Sequence, residues 1–279
     1  MKTKIILTVI LVVTSIVGIS AQGNRTVKRN IQVNPFTSIT VSSGWDVIIR
    51  QGNRQSVSIE VSEEILERAV IEVKNGTLHV YNKNRNRSFL FQSLRNVTQK
   101  VYVTVTDLNK ITASGGVDIR FDTPVKTRDF ELTMSGGSDL EGLTLACGNF
   151  TGSFSGGSDA EITFSNVEEV KADASGGSDI HLLNIASRRC RISTSGGSDI
   201  ELSGKTEDLH LSASGGSDVS ASGFEVQDCT AVFSGAADGT LFVTRRLDIR
   251  VSGAADVACQ GNPADVSKTV SRGSSLKIR

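Results

Sequence analysis

From Ile111 onward the chain alternates apolar and polar side chains in short bursts. Each burst is closed by the same few small residues. After Asp179 the apolar positions are Ile180, Leu182 and Ile185, then Cys190 and Ile192. After Asp159 they are Ala160, Ile162, Val167, Val170, Ala172 and Ala174; after Asp218 they are Val219, Ala221, Phe224, Val226, Cys229, Ala231 and Phe233. Alternation at period two is strand patterning. No run of ten residues in this region has helical periodicity with caps, so the bursts predict short strands joined by turns.

The closing residues recur. Ser-Gly-Gly-Ser-Asp, or a near copy, places an aspartate at Asp118, Asp139, Asp159, Asp179, Asp199, Asp218, Asp238 and Asp256, in steps of 21, 20, 20, 20, 19, 20 and 18. The first copy reads SGGVD and the last two SGAAD; SSGWD at Ser42–Asp46 and the closing VSRGSSLKI are more distant relatives. Twenty residues hold two or three short strands, too few for a propeller blade of about 40 and suited to one coil of a solenoid. Atypical copies at both ends fit the need of such arrays for caps. The expected fold is therefore all-β: a right-handed parallel β-helix or β-solenoid of about 20 residues per coil. Coils would stack about 4.8 Å apart, aligning Ile180, Ile200 and Val219 in one inward column and Leu182, Leu202 and Ala221 in another. Small residues such as Ala160, Gly142 and Gly239 would lie beside large ones such as Phe150, Phe154 and Phe233.

This stacking assigns the motif to a corner. Two glycines permit positive φ, and the aspartate can accept hydrogen bonds from turn N–H groups and serine hydroxyls. Stacked carboxylates nonetheless repel, by roughly 3 kcal/mol per neighbouring pair at an effective dielectric of about 20. Turn donors with solvent, or bound cations such as Ca²⁺, would offset that. Calcium β-rolls use a nine-residue Gly-Gly-x-Gly-x-Asp period, which this motif does not match. Direct catalysis by the row is the remaining alternative; the architecture accounts for the repeated carboxylates without it.

The same register separates the cysteines. Cys190 and Cys229 share a column with Leu209 between them, roughly 9.6 Å apart by coil spacing, beyond the usual disulfide Cα reach of about 4.4–6.8 Å. Cys147 and Cys259 are further apart in coil number. All four are expected reduced and buried, in a spacing that matches no metal-ligand pattern.

Residues 30–110 are patterned differently. IQVNPFTSITV and WDVIIRQG alternate as strands, Ser62 precedes a short helical segment as N-cap, and Asn75-Gly76 joins alternating runs as a hairpin turn. These residues read as the first coils carrying insertions, continuous with the array at 111–279, or as a separate small β unit. Between Tyr81 and Lys100 lie Lys83, Arg85, Arg87, Arg95 and Lys100 around Phe89, Leu90 and Phe91, with no acid. Lys83, Arg85, Arg87, Phe89, Phe91 and Arg95 are candidate contacts for an acidic glycan, a lipid headgroup or a protein. The simpler reading is a solvated loop over the end of the solenoid.

Residues 1–21 carry Lys2 and Lys4, an apolar run from Ile5 to Ile19 and a small-residue Ser20-Ala21 site, the features of a signal peptide. Export to the periplasm, the outer surface or the medium follows, and no later segment is apolar enough to cross a membrane as a helix. Without the leader the chain has 28 basic and 30 acidic side chains, a balance that excludes nucleic acid as the expected partner. Residues 22–110 hold 13 basic and 7 acidic residues, against 15 and 23 for 111–279.

The FTSITVSSGWDVIIRQG opening, NGTLHV and the serial SGGSD copies resemble the head GIN domain of putative autotransporter adhesins, exported β-helical proteins of Bacteroidetes. The resemblance spans about residues 30–275. It implies adhesion and brings no catalytic or binding residues with it.

The expected function is thus a non-enzymatic cell-envelope module that presents flat faces to surface glycans or envelope proteins, with no cofactor unless Ca²⁺ supports the aspartate row. A polysaccharide lyase or hydrolase on the same fold needs long loops around a cleft, whereas these coils are uniform. Aromatics able to stack on sugars are few: Trp45, Tyr81 and Tyr102 are the only Trp and Tyr residues. His79, His181 and His210 lie at alternating strand positions, as surface residues do.

Overall fold

The computed structural model describes residues 25–83 and 97–279. It is a β-solenoid of about eight turns with roughly 20 residues per turn. The repeats stack in register, one per coil. Asp46, Asp118, Asp139, Asp159, Asp179, Asp199, Asp218 and Asp238 are successive cross-strand partners. Ile180 pairs with Ile200 and Ile200 with Val219, while Leu182 pairs with Leu202. Ala221 aligns with Leu241. All of these apolar side chains are buried.

Within the coil starting at Asp179, the in–out alternation breaks twice. Leu183 and Asn184 both turn outward, as do Arg188 and Arg189. With the glycine turn that follows Thr194, these breaks are the three corners of the coil. Phe130 stacks on Phe150 with ring centroids 6.5 Å apart, and Phe150 meets Phe164 edge-on at 5.3 Å. Gly239 leaves room for the Phe233 ring, which would lie 2.4 Å from an added Cβ. Gly142 has a different task from the one expected: at φ +72 it forms a bend against the Phe121 backbone.

The glycine corner divides its labour more finely than the motif suggests. In the coils from Gly156 onward only the first glycine of each pair has positive φ. A Cβ at Gly176, Gly196, Gly215 or Gly235 would come within 2.8 Å of the carbonyl oxygen of the glycine one coil below. The second position instead donates its N–H to that same carbonyl: Gly177 to Gly156, Gly197 to Gly176, Gly216 to Gly196, Ala236 to Gly215 and Ala254 to Gly235, all at 2.6–2.8 Å. This position tolerates a side chain, which explains the change from SGGSD to SGAAD. In the early corners both residues have positive φ (Ser43 and Gly44, Gly115 and Gly116, Gly136 and Gly137), and Gly116 donates to Gly136 of the following coil.

The second serine closes the turn. The hydroxyls of Ser138, Ser158, Ser178, Ser198 and Ser217 donate to the carbonyl three residues earlier, at 2.7–3.1 Å, and these side chains are buried. The aspartates stay outside this network. In the array, the one backbone hydrogen bond found to an aspartate of the row runs from Asp256 N–H to Asp238 Oδ1, 2.8 Å. The expected role of the carboxylates as turn acceptors therefore passes to serine hydroxyls and the carbonyls they reach.

Cys190, Leu209 and Cys229 occupy one column, and all four cysteines are free and buried. Burial pushes the Cys147 and Cys229 thiols up to about 12 and raises Cys190 further. At neutral pH these groups are small apolar fillers without a reactive thiolate.

At the N-terminal end the order of stacking departs from the order of the chain. β1 (Thr26–Ile31) is followed by β2 (Ser38–Ser42), β3 (Asp46–Gln51) and β4 (Ser56–Ser62), then a single helical turn α1 (Glu63–Leu66) and β5 (Ala69–Lys74). β6 (Thr77–Asn82), β7 (Gln99–Val105), β8 (Lys110–Ser114) and β9 (Asp118–Phe121) come next. β2 lies between β6 and β8, and β3 between β7 and β9, all in parallel. The coil built from β6 and β7 thus lies beneath the coil that precedes it in sequence. β4 then runs antiparallel along β7, β1 along β4, and β5 along β6. These antiparallel strands end the parallel stack and cover its edge.

The Asn75-Gly76 turn has φ of +51 and +73, the left-handed pair of a tight hairpin. Ser62 precedes α1, but its hydroxyl accepts from Thr98 N–H at 3.0 Å instead of capping the helix. Trp45 fills the place that the buried serine holds in later corners and is fully enclosed.

Replacing Gly196 by Ala is expected to lower stability by about 2 kcal/mol or more, because Ala must take a left-handed conformation against the backbone of the coil below. Gly197→Ala is expected to cost less than about 0.5 kcal/mol. Urea denaturation of the two variants checks this contrast.

Candidate functional site

Outward side chains on the strands that follow each corner form two parallel columns. The first is the aspartate row. The second, two residues on, runs Tyr102, Ile48, Arg120, Glu141 and, further along, Glu161, His181, Glu201, Ser220, Thr240. From Asp139 to Asp256 these columns present ten carboxylates, seven Asp and three Glu, with His181 as the sole basic side chain. His181 faces Asp179 at 3.3 Å and Glu201 at 2.9 Å.

The face that precedes each corner is built differently. There opposite charges pair between several coils: Arg188 with Glu168 at 3.4 Å, Arg246 with Asp265 at 3.5 Å, Lys110 with Glu131 at 2.8 Å, and also Arg189 with Glu169 and Arg245 with Asp228. Like charges also meet there, as in the run Lys171, Arg191 and His210, so this face mixes both signs while the aspartate face from Asp139 to Asp256 is almost entirely acidic.

Repulsion along the aspartate row is weaker than the sequence estimate because these carboxylates are exposed. Near water's dielectric, neighbours about 4.8 Å apart cost about 1 kcal/mol or less per pair. The crowding is felt most at Asp118 and Asp139. Partial burial raises Asp118 above the ordinary carboxylate range, with Asp46, Asp139 and Glu141 adding to it. Burial, Asp159 and Glu141 do the same at Asp139. Among the described residues no three His, Cys, Asp or Glu side chains are disposed to hold a metal ion.

Two shallow grooves lie on this face. One, of about 360 Å³, runs along Asp218, Asp238 and Asp256 with Ser220, Thr240 and Lys277. The other, of about 350 Å³, is at the N-terminal end. Asp46, Lys100, Asp118 and Asp139 line it on one side and Ile48, Tyr102, Arg120 and Glu141 on the other.

Tyr102 stands out in the second groove. Of the three residues noted above for sugar stacking, Trp45 is enclosed and Tyr81 is half-buried with its hydroxyl on Glu72, whereas Tyr102 is 37% exposed. Its hydroxyl donates to Glu60 Oε2 at 3.1 Å, and Lys28 Nζ holds the same oxygen at 3.1 Å. Burial alone would raise Glu60, but the hydrogen bonds from Lys28 and Tyr102 outweigh it and hold the carboxyl below its ordinary value. Burial and Glu60 push the Tyr102 phenol up. The ring is thus fixed at its hydroxyl end by a charged partner from the antiparallel cap.

The basic segment divides. Lys83 follows the end of β6 and Lys100 lies in β7, where it faces Asp46 at 3.6 Å. Arg85, Arg87, Phe89, Leu90, Phe91 and Arg95 lie outside the described residues, as does the leader at 1–21. Of the other histidines, His79 pairs with Glu72 across the hairpin and His210 is exposed on the opposite-charge face. Sequence reasoning counted Tyr102 among the few aromatics and passed over it. Its outward parity in VYVTVT was a legible signal, but its neighbours across the coils were not.

A family model described as "Putative auto-transporter adhesin, head GIN domain" matches residues 35–201 and 168–263. The chain belongs to this family. Its solenoid is similar to solved structures of the same architecture. One is a putative lipid binding protein from Parabacteroides distasonis, 19% identical, covering 92% of this chain and 98% of that one with a TM-score of 0.67. Another is a putative adhesin from Parabacteroides merdae, 16% identical, covering 91% and 96% with a TM-score of 0.66. A putative adhesin from Parabacteroides distasonis is 15% identical, covering 92% and 98% at 0.64. No curated protein matches the chain. At these identities the likeness shows a shared fold and transfers no ligand. No helix among the described residues is long and apolar enough to cross a membrane.

Asp118 and Asp139 give a pH dependence of definite sign. Both are raised in the fold, so their contribution is most favourable when protonated and is lost as pH rises from about 4 through the folded value. Asp118→Asn and Asp139→Asn are each expected to increase stability at pH 7 by less than about 1 kcal/mol, since both sites are screened by solvent. Each is also expected to flatten the fall in stability as pH rises above about 4; urea midpoints measured along that rise test it.

Proposed function

We propose that this head GIN protein is a non-enzymatic, exported cell-envelope module that binds surface glycans or envelope proteins through the aspartate face of its solenoid. The observation that carries this reading is the contrast between faces. One wall mixes both signs and holds five ion pairs between coils, while the other presents ten carboxylates from Asp139 to Asp256 against one histidine, with a shallow groove at each end. Polar groups left without partners along a rigid, flat surface suit recognition. Family membership supports adhesion as the class of activity. The uniform corners, closed by backbone hydrogen bonds from coil to coil, support binding over catalysis, because they hold side chains in straight columns and build no walls around a reacting bond.

The signal-peptide features of residues 1–21 support an exported mature chain, in the periplasm, on the surface or in the medium. We extend the proposal to the aspartate row, which water solvates without a resident cation. Thermal melting in EDTA is then expected to match melting in buffer, and a rise of more than about 5 °C on adding millimolar Ca²⁺ would identify a calcium-supported row instead. For the binding role, the mature chain is expected to sediment with isolated cell envelopes. A variant with Asp159, Asp179, Asp199 and Asp218 changed to Asn should sediment less, and one with Arg188 and Arg189 changed to Gln should sediment as the parent does. Equal retention of all three would refute the assignment to this face.

A further inference from the structure

We infer that the groove around Tyr102 is a binding site for a neutral, hydroxyl-rich oligosaccharide. The inference rests on the proposed binding role and names its ligand class and its place. In an array of copies, the corner motif repeats because each corner needs it. Positions where the outward columns depart from the copied pattern are free of that demand. Along the aspartate row and its neighbour, the middle coils pair Asp with Glu or His, and the later ones pair Asp with Ser, Thr or Ala before a last rung of Ser275 with Lys277. Only the four N-terminal rungs combine an aromatic ring, an apolar side chain, cations and carboxylates: Lys100 with Tyr102, Asp46 with Ile48, Asp118 with Arg120, and Asp139 with Glu141.

That mixture matches the chemistry of a sugar. A pyranose has an apolar face of C–H groups and a rim of hydroxyls that both donate and accept. Tyr102 offers an exposed ring, and half-buried Ile48 lies beside it in the same column. Large aromatic and apolar surface supplies the non-directional part of such binding. Carboxylates accept from hydroxyls, often in pairs, while Arg and Lys donate to them. In this groove Asp46, Asp118, Asp139 and Glu141 are interleaved with Lys100 and Arg120 around about 350 Å³, room for roughly one or two sugar units.

The site is also held in place before any ligand arrives. The Tyr102 hydroxyl is fixed by Glu60, and Arg120 is held by Asp122 at 3.3 Å, which also engages Arg50 at 3.1 Å. Side chains already ordered lose less freedom on binding.

Charge narrows the class. Four carboxylates against two cations leave the groove net negative, so uronate-bearing or sulfated chains are repelled and uncharged ones are not. This is the opposite preference from the one the basic segment between Tyr81 and Lys100 suggests by itself. The groove along Asp218, Asp238 and Asp256 has the carboxylates and hydroxyls but no aromatic ring for a sugar to stack on.

The test is the mature chain on an array of neutral, uronate-bearing and sulfated oligosaccharides, with affinities for the hits measured by titration. Binding is expected on neutral members only. Tyr102→Ala is expected to weaken it at least tenfold, Arg120→Ala and Glu141→Gln several-fold each, and Tyr102→Phe by less than threefold, because the ring remains. Thr230→Val, exposed on the face that precedes the corners, should leave it unchanged. Should Tyr102→Ala misfold by circular dichroism, the Arg120 and Glu141 variants decide the matter. Neutral sugars bound equally by every variant would overturn this site while leaving the binding role in place. Binding confined to anionic sugars, or capture of envelope proteins with no oligosaccharide bound, would overturn the ligand class and again leave the broader role standing. Failure to bind envelopes or sugars would remove both.

Discussion

The structure depends on backbone hydrogen bonds passed from one coil to the next at a corner where two chains nearly touch. At Gly176, Gly196 and Gly215 the approach is so close that a single Cβ would meet the carbonyl below at under 3 Å. The same carbonyl accepts the N–H of the second corner residue. Corner geometry therefore sets the coil spacing, and the spacing brings every side chain into line with its counterparts above and below. The inward columns pack as ladders of like residues. The outward columns become rows of like charge or alternating charge.

That constraint makes the surface unusually easy to interpret. Most positions copied in every coil are explained by the corner, as the first glycines and second serines are. Within the motif the roles separate: the first glycine for conformation, the second position for its N–H, the second serine for closing the turn and the aspartate for the solvent face. A position that breaks the copy has been released from the architecture. The ion-paired columns through Arg189 and Arg246 show charges that neutralise one another, each exposed pair worth at most about 1 kcal/mol. The mixed rungs around Tyr102 combine an exposed ring with charges of both signs, a combination the copied coils lack. The recognition proposed above would need no cleft, only a few departures from periodicity at one end of a rigid wall.

The N-terminal end obeys the same physics with a different solution. A parallel stack exposes a row of unpaired backbone groups at its last coil. The chain covers that row with β4, β1 and β5, all antiparallel, after laying the β6–β7 coil beneath the one already made. This arrangement brings Lys28 and Glu60 to Tyr102 and so creates the fixed ring. The cap and the candidate site are one construction.

Much of this was written in the residues themselves. The twenty-residue step of the aspartates, the alternation on either side and the paired small residues were enough to specify coils, their register, the inward columns and the separation of Cys190 from Cys229, because each depends only on local spacing repeated without change. The Asn75-Gly76 hairpin was equally local. Three things lay beyond reach. The labour of the two glycines depends on how near the coil below comes, and SGAAD hinted at it without revealing the distance. The insertion of one coil beneath its predecessor is a choice among edges that alternation cannot distinguish, since either neighbour would bury the same face. The groove joins Tyr102, Ile48, Arg120 and Glu141, which are drawn from four segments up to 93 residues apart. Periodicity shows which way each side chain points, but only the folded stack decides which of them meet.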